Sequence, residues 1–175
     1  MVDAQTTSII FAGVSIGVAA LYYTLTLRNT QRAQQLQLET RQAQLFMQAY
    51  NRFTEKEFQK SWFEMVSQWE WDDYDDFMTK YGPKTNSEDA SKFGSVLAYF
   101  EGLGVFVEQK LIDIELVSRL GSSNIINCWE KFRPVFEEYT RRTGNPYTYD
   151  YLEWLYNELK NKRHKIPVTS QEPKT

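Results

Sequence analysis

The chain has 175 residues, 20 Lys and Arg against 23 Asp and Glu, a net charge of −3, one Cys and one His. One Cys excludes an internal disulfide, and one His excludes the histidine pairs of di-metal helical bundles. The near balance of charge offers no broad basic surface for nucleic acid.

The first element is the one water rejects most. Residues 4–27 carry no charged side chain and include IIFAGVSIGVAALYYTL, which at 1.5 Å per residue is long enough to cross the hydrocarbon core of a bilayer. Residues 6–27 are therefore expected to form a single transmembrane helix preceded by a short extracytoplasmic segment, residues 1–5. A secretory signal peptide would want a basic n-region, which MVDAQTT lacks, although Val18, Ala19 and Ala20 would serve as a cleavage site. Arg28, Arg32 and Arg41 follow the span and no Lys or Arg precedes it, so the positive-inside rule puts the N-terminus outside and the rest in the cytoplasm of a cell membrane. Within the span Gly13 and Gly17 stand one helical turn apart. They are the candidate residues for packing of the membrane helix against a copy of itself or another subunit.

Residues 28–53 read as a polar helical stalk with seven Gln between 28 and 50 and neither Gly nor Pro. Ala33, Leu36, Thr40, Ala43, Met47 and Tyr50 recur at threes and fours, a weak seam of the coiled-coil kind. A helical cytoplasmic domain, residues 54–162, is expected to follow, with residues 163–175 as a disordered tail. Thr54 and Glu57 have the spacing of a capping box. Phe58, Trp62, Met65, Val66 and Trp69 then mark one face of an amphipathic helix.

Asp72, Asp73, Asp75 and Asp76 are the most tempting chemical feature. Four carboxylates in five residues invite a hard cation, but they lack the alternating ligands, turn glycine and distant Glu of a calcium loop. Acids at the start of a helix that carries Phe77 and Tyr81 are better explained by the helix dipole. Gly82 and Pro83 should end that helix.

A central helix beginning near Ser87 carries Phe93, Val96, Leu97, Phe100, Leu103 and Val107, with Gly94, Gly102 and Gly104 inviting close approach by a neighbour. Asp113 is expected to cap a short helix ended by Gly121. A further stripe, Ile125, Trp129, Phe132, Phe136 and Tyr139, runs across Pro134, which should kink or divide its helix. Cys128 adjoins that stripe as a packed thiol with no activating neighbour. After Gly144, Asn145 and Pro146, a last helix from about Thr148 buries Leu152, Leu155 and Leu159. Trp62, Trp69, Phe100 and Trp129 should share one core. Tyr147, Tyr149 and Tyr151 offer a candidate recognition surface, and Lys160, Lys162, Arg163 and Lys165 suit a helix C-terminus or an anionic lipid surface.

FEGLGVFVEQKLIDIEL at 100–116, RQAQLFMQAYNRF at 41–53 and the WEKF segment from Trp129 to Phe132 carry a resemblance. The chain resembles a family of small prokaryotic proteins, archaeal and bacterial, known only as a domain of unknown function. The likeness covers about residues 20–160 and implies a membrane helix, a polar helical stretch and an aromatic-rich helical domain. It implies no catalytic residue.

The expected architecture is all-α, and the expected function is a membrane-anchored interaction module or accessory protein without catalysis or cofactor. Its partners would be the bilayer and either another protein or a second copy, with no nucleic acid. A carboxylate-based metal-binding protein or enzyme, using the Asp72 to Asp76 cluster with Glu101 and Glu108, is the alternative. An accessory subunit held by its membrane helix in a larger complex is another.

Overall fold

A computed structural model of the chain describes residues 3–145 and 148–163. Among the described residues there are six helices and no strand, so the architecture is all-α. The helices are α1 (Ala4–Thr54), α2 (Lys56–Ser67), α3 (Tyr74–Tyr81), α4 (Ser87–Glu108), α5 (Ile114–Thr143) and α6 (Asp150–Arg163). The chain divides into two compact units between Gln44 and Leu45.

The first unit is helical, and its side chains from Phe11 onward are exposed. Phe11, Val14, Ile16, Val18, Leu21 and Leu25 each show more than half of their surface. Two hydroxyls of this apolar stretch bond back to the preceding turn, Ser15 to the Phe11 carbonyl and Thr24 to the Ala20 carbonyl, both at 2.8 Å. Bonded in this way, they place no unpaired donor on the helix surface. One helix near the N-terminus, α1, is long and apolar enough by length and composition to cross a membrane.

The second unit starts within the expected stalk. Leu45, Phe46, Ala49 and Phe53 pack against the core, so the last turns of α1 belong to the bundle. The Tyr99 hydroxyl of α4 fixes them by donating to the Ala49 carbonyl at 2.8 Å. Burial pushes that phenol up to about 12.

Around α4 the bundle closes with α2 on one side, α6 on another, and α3 and α5 completing it. Phe58 and Met65 of α2 are buried, and so is Trp69 two residues beyond its end. Phe100 and Trp129 are buried in the same core, while Trp62 is half-buried against it with an indole N–H that lacks a partner. Rings fill much of the interior: Trp69 stacks on Tyr81 at 4.1 Å between centroids, and Trp71 on Phe132 at 5.3 Å.

Local capping explains most of the boundaries. Asp73 caps α3 by accepting from the Asp76 amide at 2.9 Å, and Asn86 caps α4 by accepting from the Asp89 amide at 3.1 Å. Asp113 accepts from the Glu115 amide at 2.9 Å to start α5. Gly144 ends α5 in the left-handed region, at φ 68°, a conformation that costs glycine least.

Several expectations are corrected. Thr54 does not open α2: its hydroxyl bonds the Tyr50 and Asn51 carbonyls as the last residue of α1, and Glu55 precedes α2 with no side-chain cap. Gly121 does not end a short helix. The buried face of α5 continues across it from Val117 to Ile125, and tertiary packing outweighs the modest helix cost of one glycine. Of the kink or division expected at Pro134, the division does not occur: the residue lies inside α5, flanked by buried Phe132, Val135 and Phe136. Of the three α4 glycines, only Gly104 meets a neighbouring backbone, that of Tyr151 in α6; Gly94 and Gly102 face open space.

Candidate functional site

Two helix ends in the bundle are completed from a distance. The Lys131 ammonium of α5 donates to the Val66 carbonyl at 2.8 Å and the Trp69 carbonyl at 2.7 Å, closing the C-terminal end of α2. Burial lowers the pKa of this lysine below its usual value. The Glu101 carboxylate of α4 accepts from the Tyr151 amide at 3.2 Å and the Leu152 amide at 2.8 Å, the free donors at the N-terminal end of α6. Glu101, a candidate for carboxylate chemistry, thus holds α6 in place.

The acidic cluster is similarly engaged. Asp73 is the α3 cap. Asp76 accepts from the Asp72 amide at 3.0 Å and pairs with Lys80 at 2.7 Å. Asp75 takes both ends of the Arg142 guanidinium, at 2.6 and 2.9 Å, and Glu138 accepts from the same guanidinium at 2.7 Å. Hydrogen bonds from Arg141 and Arg142 hold the Glu138 carboxyl down at about 2. These carboxylates do not converge: among the described residues no three His, Cys, Asp or Glu side chains form a set that could hold a metal. Glu108 is exposed and bonded to Gln109. Cys128 is fully buried, and burial pushes its thiol up to about 12. His164 and Lys165 lie outside the described residues, as do Tyr147 and the tail; Lys160 pairs with Glu130 at 2.8 Å and Lys162 with Glu115. Gly13 and Gly17 are exposed on α1, with open space where a Cβ would stand.

A cleft of about 590 Å³ opens between α3, α4, α5 and the segment leading into α6. Helix α3 lends it Tyr74, Phe77 and Tyr81, α4 lends Phe93 and Glu101, and α5 lends Phe136 and Tyr139. Tyr149 closes one side, its ring 4.9 Å from that of Phe136. Its backbone is in the left-handed region, at φ 62°, which is rare for a residue with a bulky side chain. Strain of this kind persists only where the surroundings impose it, and it tends to mark functional positions. Tyr139 lies near enough to both Tyr74 and Tyr149 to influence their ionisation. Burial raises the Tyr149 pKa, with Tyr139 and Glu101 adding to the effect, and burial likewise raises Tyr74, whose ring lies under Arg142 at 4.5 Å.

Of the expected tyrosine surface, Tyr151 is 40% exposed, but Tyr149 turns inward to the cleft. The sequence places Tyr139 and Phe93 on apolar stripes without showing that they face a shared opening. Their only signal is residue type: the stripe of α5 ends in Tyr139 rather than Leu, and that of α4 opens on Phe93.

No curated protein and no solved structure matches the chain. A family model described as a domain of unknown function matches residues 7–159, taking in the apolar part of α1 and the whole cleft. The chain therefore belongs to the DUF4760 family.

Proposed function

We propose that the chain is a single-pass membrane protein of a prokaryotic cell, with its N-terminus outside and its helical unit acting in the cytoplasm as a non-catalytic interaction module. The observation that carries this reading is the exposed apolar surface of α1. From Phe11 to Leu27 large apolar side chains lie open along every side, far more than a water-soluble surface tolerates in one contiguous patch. A bilayer removes that cost. The basic residues Arg28, Arg32 and Arg41 supply the orientation.

The engagement of Asp73, Asp75, Asp76 and Glu101 in caps and ion pairs supports a binding role over carboxylate catalysis, because each already has a structural partner. The partner is another protein or a second copy of the chain. Alkaline carbonate extraction and protease treatment of intact spheroplasts test the reading. The chain should stay in the membrane fraction, with the segment 82–89 protected until the cells are lysed. Release by carbonate would overturn the anchor, and cleavage before lysis would overturn the orientation.

A further inference from the structure

We infer that the aromatic cleft between α3, α4 and α5 is a binding site for an organic cation, an ammonium group carried on a small apolar body. The inference rests on the cleft alone and does not depend on what α1 does.

Size comes first. At about 590 Å³ the cleft falls within the range of pockets that enclose small organic molecules. Its walls come next. Tyr74, Tyr81, Phe93, Phe136, Tyr139 and Tyr149 present rings from three helices and one turn. Each aromatic ring carries negative charge on its faces, so several rings around one space attract a cation more than they attract a neutral body of the same shape.

Charge points the same way. Among the described residues no Lys, Arg or His lines the cleft, and its one carboxylate is Glu101. Two of that carboxylate's acceptor sites are taken by the Tyr151 and Leu152 amides, and a carboxylate has about four. A neighbouring cation, Arg142, sits over the Tyr74 ring but is matched by two carboxylates, Asp75 and Glu138. Its charge is therefore balanced before it could repel a cationic guest. Tyr81 keeps its hydroxyl for the Glu70 backbone; to the other phenols and the spare acceptor sites of Glu101 a neutral apolar ligand offers nothing, whereas an ammonium group can donate to them or lie against the rings.

Two sources would present the same chemistry: a free amine, or the lysine side chain of a partner protein. The test uses the full chain in a maltoside detergent, which has no ammonium head group. Choline, its neutral carbon analogue 3,3-dimethylbutan-1-ol, and Nα-acetyl-lysine amide are titrated by calorimetry. At least one cation should bind roughly tenfold tighter than the neutral analogue. Tighter binding of choline assigns a free quaternary amine, and tighter binding of the lysine derivative assigns a partner's side chain. Tyr139→Leu keeps the apolar volume at a residue that is 39% exposed and removes a ring, so it should abolish the preference for the cation. Tyr139→Phe should restore it. Equal binding of cation and analogue, binding of neither cation, or a preference that survives Tyr139→Leu each overturns the inference. Circular dichroism of the variants shows that the bundle remains folded.

Discussion

Gly104 of α4 lies directly beneath the Tyr151 carbonyl of α6: a Cβ there would come within 2.8 Å of the carbonyl carbon and closer still to its oxygen. The backbones of the two helices touch at this point, and any side chain would drive them apart. Gly104→Ala should destabilise the bundle by about 1–3 kcal/mol, the usual penalty for overpacking. Gly102, on the same helix, faces open space. There the same substitution should stabilise by about 0.5–1 kcal/mol through helix propensity. Urea denaturation of the two variants checks the pair, and equal shifts would show that the close approach has no energetic weight.

Just under one turn before that contact, Glu101 performs the work of an N-cap from another helix. Glu101→Ala should cost about 1–2 kcal/mol, as loss of a local cap does. Amide exchange at Tyr151 and Leu152 should accelerate more than at Leu159, because the loss is confined to the first turn of α6. Uniform acceleration along α6 would indicate a purely global effect.

Cys128 gives a pH dependence with a defined sign. Its thiol is raised from 9.0 to about 12 by burial, so above pH 9 the unfolded chain loses this proton while the folded chain keeps it. Stability should be unaffected by this group below pH 9 and should fall by about 1.4 kcal/mol per pH unit above it, until pH approaches 12. A Cys128→Ala variant should lack that increment. A thiol reagent at pH 8 should label the native chain only as fast as it opens.

Helical periodicity makes much of the bundle legible in the amino-acid sequence. Phe58, Met65 and Trp69, or Leu152, Leu155 and Leu159, announce their buried faces because that periodicity is a local property, written within a dozen residues. Asp113 announces its cap for the same reason, and the acids from Asp72 to Asp76 announce the start of α3 without showing which of them caps it. Thr54 misleads because two helices meet there with only Glu55 between them, so one hydroxyl could serve either the helix it ends or the helix it precedes; it serves the first. Gly121 misleads because a single glycine weakens a helix by less than the packing of Val117 and Ile125 restores. The trans caps of Glu101 and Lys131 join residues 50 and more positions apart, and no spacing rule reaches that far. The cleft is hidden likewise, since its tyrosines come from separate helices.

Gly13 and Gly17 bear on association. Both are open on α1, one turn apart, and in the proposed membrane helix small residues so placed let two backbones approach closely. Replacing both by Ile should abolish cross-linking between single cysteines placed in the span while leaving membrane insertion intact. Cross-linking that persists at full strength would remove the glycine face from consideration.

The lateness of α6 in the chain has a consequence for how the protein is made. Leu152, Leu155 and Leu159 have no exposed surface, and Glu101 and Gly104 await α6 on α4. A ribosome adds about 5–20 residues per second, so α1 precedes Leu159 by on the order of ten seconds. Throughout that interval the nascent bundle lacks one wall, and Trp129 and Phe136 lack the rings of Tyr156 and Tyr149 that later lie against them. A premature stop codon ahead of Leu152 therefore leaves an open, aggregation-prone intermediate rather than a slightly shortened protein.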